Sequence, residues 1–113
     1  MQFFVTLTLD QLSGPAELQS AMTEFVENEL QAGSFAITGG LASHSDGVRV
    51  ELSPNGVSQG DARLPVHGFA VVEAPALQQA VEVASRMLRL HQNYVPDWAG
   101  NCEVRPIVTH CLP

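Results

Sequence analysis

The run Val66 to Glu73, VHGFAVVE, constrains the fold more than any other stretch. It is almost wholly apolar, has the length of a strand, and follows a polar loop at Asp61 to Pro65. Such a strand belongs in the middle of a sheet, so the remaining elements must supply its neighbours and its cover. Phe3, Val5, Leu7 and Leu9 alternate with Phe4, Thr6, Thr8 and Asp10, the period of a strand with one fully apolar face. Phe35, Ile37 and Gly39-Gly40 give a further strand, weakened by a bulge or close approach where the two glycines lack side chains. Ser43 to Gly47 reads as a turn. Val48, Val50 and Leu52 alternate with Arg49 and Glu51, and Ser53-Pro54-Asn55-Gly56 reverses the chain, which predicts a hairpin from Val48 to about Ser58. The last strand runs from Asn101 to about Thr109.

Two segments keep a helical period instead. After Ser13-Gly14-Pro15, where proline suits the first helical position, Leu18, Met22, Phe25, Val26 and Leu30 line one face and Gly33 closes the helix in a left-handed conformation. After Glu73-Ala74-Pro75, the residues Leu77, Ala80, Val81, Ala84, Leu88 and His91 form a second stripe. The order strand, helix, strand, hairpin, strand, helix, strand is an α+β, ferredoxin-like plan with an inserted hairpin, in one domain over residues 1–113. Two amphipathic helices cover one face of a four-stranded sheet and leave the other bare. A second copy placed face to face would cover it, so the expected assembly is a homodimer.

Charge narrows the partners. Five Lys and Arg against twelve Asp and Glu give a net charge of -7, which repels nucleic acid and anionic membranes, whose binding depends on basic side chains. Charged residues make up 15% of the chain, against about a quarter in an ordinary domain. A surface this lean in charge fits a subunit interface. The opening MQFFVTLTLD lacks the basic and long apolar regions of a signal peptide, and no apolar run approaches the roughly 20 residues of a membrane span. Cys102 and Cys111 alone make no disulfide framework. The expected location is cytoplasmic, with both thiols reduced.

The segment Arg89 to Ile107, RLHQNYVPDWAGNCEVRPI, holds the single Trp and the single Tyr. It passes from a helix end through a Pro-Asp-Trp-x-Gly loop into a Glu-Val-Arg-Pro strand. With Gly68-Phe69, Trp98 to Gly100 and Glu103 to Pro106, it resembles the C-terminal signature of the YCII-related (DGPF-type) family of small proteins. That resemblance implies a dimeric α/β barrel. Where the family usually shows Asp-Gly-Pro-Phe, this chain has Gln59-Gly60-Asp61-Ala62. No histidine precedes His44, so the His-Asp pair considered catalytic in the bacterial YCII proteins has no counterpart in the first strand or helix.

Candidate site residues follow from the residues present. Alternation puts Cys102 and Val104 on one strand face and Glu103 and Arg105 on the other. If the first pair packs on the helices, Glu103 faces the inter-sheet cleft as a general base and Arg105 as a two-pronged anchor for a carboxylate, unless the two serve as structural charges. His67 is an acid/base candidate, with Asp61 to orient its ring and Arg63 as a second anion anchor, or else a satisfied core histidine. Tyr94 and Trp98 either wall a ligand pocket or plug the edge of the core. His91 reads as a cap or packing residue, and His110-Cys111 offers less. His44 and Asp46 lack further ligands at metal spacing. Glycine-rich phosphate loops, Cys-x-x-Cys, His-Glu-x-x-His and Gly-x-Ser-x-Gly are all absent, and no cofactor or metal is called for. Two readings stand. One is a small-acid-binding protein with cofactor-independent lyase or isomerase chemistry by His67 and Glu103; the other is a non-catalytic ligand-binding or protein-interaction dimer.

Overall fold

A computed structural model describes residues 1–10 and 14–108. Ser13, Thr109, His110 and Cys111, on which the sequence reading also drew, lie outside the described residues. The chain is α+β. Its elements are β1 (Gln2–Leu9), α1 (Ala16–Ala32), β2 (Phe35–Gly40), a 3-10 turn (His44–Asp46), β3 (Val48–Ser53), β4 (Gly56–Asp61), β5 (Gly68–Glu73), α2 (Leu77–Tyr94) and β6 (Gly100–Pro106). Four strands form one antiparallel sheet in the order β2-β5-β1-β6, while β3 and β4 form a separate two-stranded ribbon.

The apolar run does take an inner place, between β2 and β1. The strand begins at Gly68, however, and Val66 and His67 precede it. The core lies between this sheet and the helices. Phe3 stands opposite Val72 across the β1–β5 ladder, and the two are 0% and 1% exposed. Burial of side chains this size contributes about 1.5–3 kcal/mol each. Val5, Ala70, Phe35, Ala80, Val83 and Ala84 complete the cluster, with Cys102 and Val104 packed against it.

Helix α1 ends as its glycine dictates. Gly33 has φ 81°, its N–H reaches the Leu30 carbonyl, and the Ser34 N–H reaches the Glu29 carbonyl, closing the last turn. Pro15 stands just outside α1, at the cap, and Pro75 stands outside α2, whose cap is Ala76. The buried faces differ from the expected stripes. On α1, Leu30 is exposed and Glu29 is buried, because Glu29 pairs with Arg86 of α2 at 2.8 Å and takes a hydrogen bond from the Ser34 hydroxyl. Arg86 also lies over the Phe25 ring. On α2 the inward residues are Ala80, Val83, Ala84, Met87 and His91, and Leu77 and Val81 face outward. Ala80, Val83 and Ala84 pack in the core cluster with the sheet residues.

The β2 bulge falls between Phe35 and Ile37, ahead of the paired glycines. It rotates the strand so that Phe35 faces the helices while Ile37 is 54% exposed. The hairpin is longer than its turn signal alone indicated, with Asp61 paired to Val48 as the last residue of β4. Every residue of β3 and β4 is exposed. The ribbon therefore projects as an arm, and the radius of gyration, 16.0 Å, exceeds the roughly 13 Å of a compact chain of this length.

Candidate functional site

Register fixes what each sheet face carries. Cys102 and Val104 turn toward the helices, so Glu103 and Arg105 stand on the opposite face, which no element among the described residues covers. On β1, Phe4 is the partner of Arg105 on one side and of Val71 on the other, and Thr6 lies between Glu103 and Phe69. Phe4 and Phe69 stack across the strands with centroids 6.1 Å apart and planes 16° from parallel. The Glu103 N–H donates to the Thr6 hydroxyl at 3.2 Å. Neither the Glu103 carboxylate nor the Arg105 guanidinium is in an ion pair among the described residues. The open face is thus an apolar platform of Phe4, Phe69, Val71 and Ile37, edged on β6 by one cation and one anion.

His67 is elsewhere. It lines a hollow of about 530 Å³ between α1 and the ends of β2, β5 and β1, on the helix side of the sheet. Its Nδ1 accepts the Leu9 N–H at 2.8 Å, which leaves the ring proton of the neutral imidazole on Nε2. The Leu9 amide thus occupies the nitrogen that Asp61 was expected to orient. Asp61 ends β4, and Arg63 lines a shallow hollow with His44, Asp46 and Arg49 at the base of the arm. His44 and Asp46 share the 3-10 turn there, and no group of three potential metal ligands forms among the described residues.

Trp98 and Tyr94 belong to neither place. Trp98 stacks on His91 at 6.3 Å and lies over Gly14, where an added Cβ would stand 3.2 Å from the indole. Tyr94 ends α2 and faces a shallow groove along the first turns of α1. The residue after Trp98 is fastened to the chain just past β1: the Asp10 N–H donates to the Ala99 carbonyl at 3.0 Å and the Asp10 carboxylate accepts the Ala99 N–H at 3.2 Å. His91 is buried and donates Nδ1–H to the Met87 carbonyl at 2.8 Å, a packing role. The Cys102 thiol, half-buried against the core, has its pKa pushed up to about 11 by desolvation. It is a poor nucleophile at neutral pH.

Of the expected site residues, the fold brings together Glu103 and Arg105 and adds Phe4, Phe69 and Thr6 to them. It places His67, the Asp61–Arg63 segment and the Tyr94–Trp98 segment in three other regions. The aromatic platform was readable in principle, since Phe4 and Phe69 both fall on the outward phase of their strands. No family model matches the chain, and no curated protein matches its sequence. No helix among the described residues is long and apolar enough to cross a membrane.

Proposed function

We propose that the chain is a YCII-related protein of ferredoxin-like plan. Two copies pair their open sheet faces as a dimeric α/β barrel and bind a small aromatic or polar acid in the cleft between them, in the cytoplasm. The observation that carries this reading is the Phe4–Phe69 stack on an uncovered sheet face beside an Arg105 that has no ion-pair partner among the described residues. A ligand ring lies against the aromatic platform, and its carboxylate takes two N–H donors from the Arg105 guanidinium. Glu103, two residues along the same strand face, accepts from a hydroxyl or amine elsewhere on the ligand. One cation and one anion at that spacing favour a ligand with an acid group and a donor rather than a dianion.

Support for the homodimer comes from the surface that a single copy leaves open. On the arm, Val48, Val50, Leu52 and Val57 share one face by register and all are exposed. An isolated two-stranded hairpin is only marginally stable in water. Phe4 and Ile37 on the sheet face are exposed as well, which adds to the apolar surface that a single copy leaves in water. The same arm favours the second reading, a protein-interaction module without a ligand.

Binding without turnover is the better supported form of the first reading. His67 faces the helix-side hollow and Glu103 the open face, so a lyase or isomerase mechanism has no assembled acid–base pair within one copy. Asp61 and Arg63, at the base of the arm, join the acid site only if a partner's arm reaches it.

A thermal-shift screen of the wild type and Arg105→Ala against hydroxybenzoic, phenylacetic and short aliphatic acids tests the proposal. Binding to the folded state alone raises the melting temperature. Losing a charge-assisted contact costs about 1.5–3 kcal/mol, roughly 10–150-fold in affinity. A hit that weakens by this much in Arg105→Ala supports the cleft; a hit that survives unchanged, or no hit for the wild type, leaves the interaction module.

A further inference from the structure

The helix-side hollow is a second place where the chain is built to receive a molecule, and it does not rest on the acid-binding reading. Its origin is legible in two glycines. Gly40 ends β2 and Gly68 begins β5 opposite it, so neither raises a side chain there, whereas a Cβ on Gly39 would meet the Phe69 ring on the other face. A Cβ added to Gly68 would stand 3.2 Å from the Gly39 carbonyl oxygen, while one added to Gly40 would meet nothing nearer than 3.9 Å. Strand approach is thus tight at the first glycine, and the second leaves room for a side chain that is absent. The hollow opens to solvent, and at about 530 Å³ it falls in the range of roughly 300–1,000 Å³ typical of small-molecule sites.

The wall is mostly apolar, with Met22 and Val26 from α1, Met87 from α2 and Ala70 from β5. One polar group on it is held rigidly. The His67 N–H donates to the Leu7 carbonyl at 2.7 Å, its carbonyl accepts the Leu41 N–H at 2.8 Å, and its Nδ1 accepts the Leu9 N–H. Three backbone contacts fix the residue and its tautomer. The remaining Nε2–H has no partner among the described residues, so it is an oriented donor whose ordering cost is met before any ligand arrives. Thr38 donates its hydroxyl to the Phe69 carbonyl and keeps acceptor capacity only. Glu27 stands in the lining with an acidic side chain, which disfavours an anion.

We infer that the hollow between α1 and the β2–β5–β1 end binds a compact, neutral, largely apolar molecule through one acceptor oxygen, a ketone, ester or ether, hydrogen-bonded to His67 Nε2–H. It is distinct from the acid site in face, charge preference and anchoring residue.

The chain has three methionines, Met1, Met22 and Met87, and two of them line the hollow. With ε-¹³C-methyl methionine labelling, titration of the full chain with 2-acetylnaphthalene as the probe is expected to move the Met22 and Met87 signals and leave Met1 in place. In 2-ethylnaphthalene the acceptor is gone, and binding to the unaltered protein is expected to weaken about tenfold, the effect of one neutral hydrogen bond. Thr23→Trp, at an exposed α1 position on the rim, fills the mouth and abolishes the shifts. Unmoved Met22 and Met87 at the probe's solubility limit overturn the inference, as does equal affinity for the hydrocarbon or an undiminished response in Thr23→Trp. None of these results depends on Arg105, so the acid site stands or falls separately.

Discussion

Replacing Leu52 by Asp separates the arm's role between copies from any role within one. Leu52 is 84% exposed near the tip of the arm and stands opposite Val57, which is 71% exposed. Within a single copy the substitution removes almost no burial, so the unfolding free energy of the isolated chain is expected to stay within about 0.5 kcal/mol. In a symmetric dimer that covers the arm, each copy loses a buried leucine, about 1.5–3 kcal/mol, and symmetry counts the change twice. The dimer is therefore destabilised by about 3–6 kcal/mol, or roughly 10²–10⁴-fold in its dissociation constant. Sedimentation velocity from nanomolar to high micromolar concentration reads the constant directly, with urea unfolding of the monomeric fraction as the control. A wild type that stays monomeric throughout, or a Leu52→Asp dimer of unchanged affinity, refutes the reasoning. A large loss of monomer stability refutes it in another way, since it means that the arm packs on its own body.

Other expectations test the frame around the site. Arg86→Met strands the buried Glu29 carboxylate without its cation and is expected to cost about 1–3 kcal/mol in urea unfolding, less than a fully buried pair because Arg86 is itself half exposed. Gly100→Ala places a Cβ 2.7 Å from the Thr8 carbonyl oxygen, and the backbone shift that relieves it is expected to cost about 1–3 kcal/mol by the same assay. Burial holds the Cys102 thiol pKa up at about 11, so iodoacetamide modification followed by peptide mass spectrometry at pH 8 is expected to be slow in the folded protein and fast in urea. The sign follows from linkage: the folded state holds the thiol proton more tightly, so this contribution to stability is full below pH 9 and is lost as pH rises toward 11.

Much of this fold was legible because it depends on short-range rules. Alternation in Phe3–Leu9 and in Cys102–Val104 set the strand faces correctly, and Gly33 closed α1 as a left-handed residue should. The misread elements share a cause in tertiary contact. Leu30 and Glu29 exchange places because Arg86 on another helix stabilises the carboxylate inside, which no pattern along α1 reveals. The α2 stripe turned so that Val83 and Met87 join Ala80 and Ala84 on the buried face, while Leu77 and Val81 are exposed. Alternation puts His67 on the face of Phe69 and Val71, but the strand starts one residue later, and the ring instead takes the Leu9 N–H and lines the helix-side hollow. The site was legible in half: residue types and alternation placed Glu103 and Arg105 together, but the distances of Trp98, Tyr94 and Arg63 from them depend on where loops and the arm travel.

The most direct test of the central claim is an NMR titration of the protein with 4-hydroxybenzoate, following the Arg105 Nε–H with the Val71 and Ile37 methyls. An acid bound on the open sheet face is predicted to shift all three together, with one binding constant, while Met22 and Met87 stay still. Shifts confined to Met22 and Met87, or none at millimolar ligand, would contradict the claim that this face is the acid-binding surface.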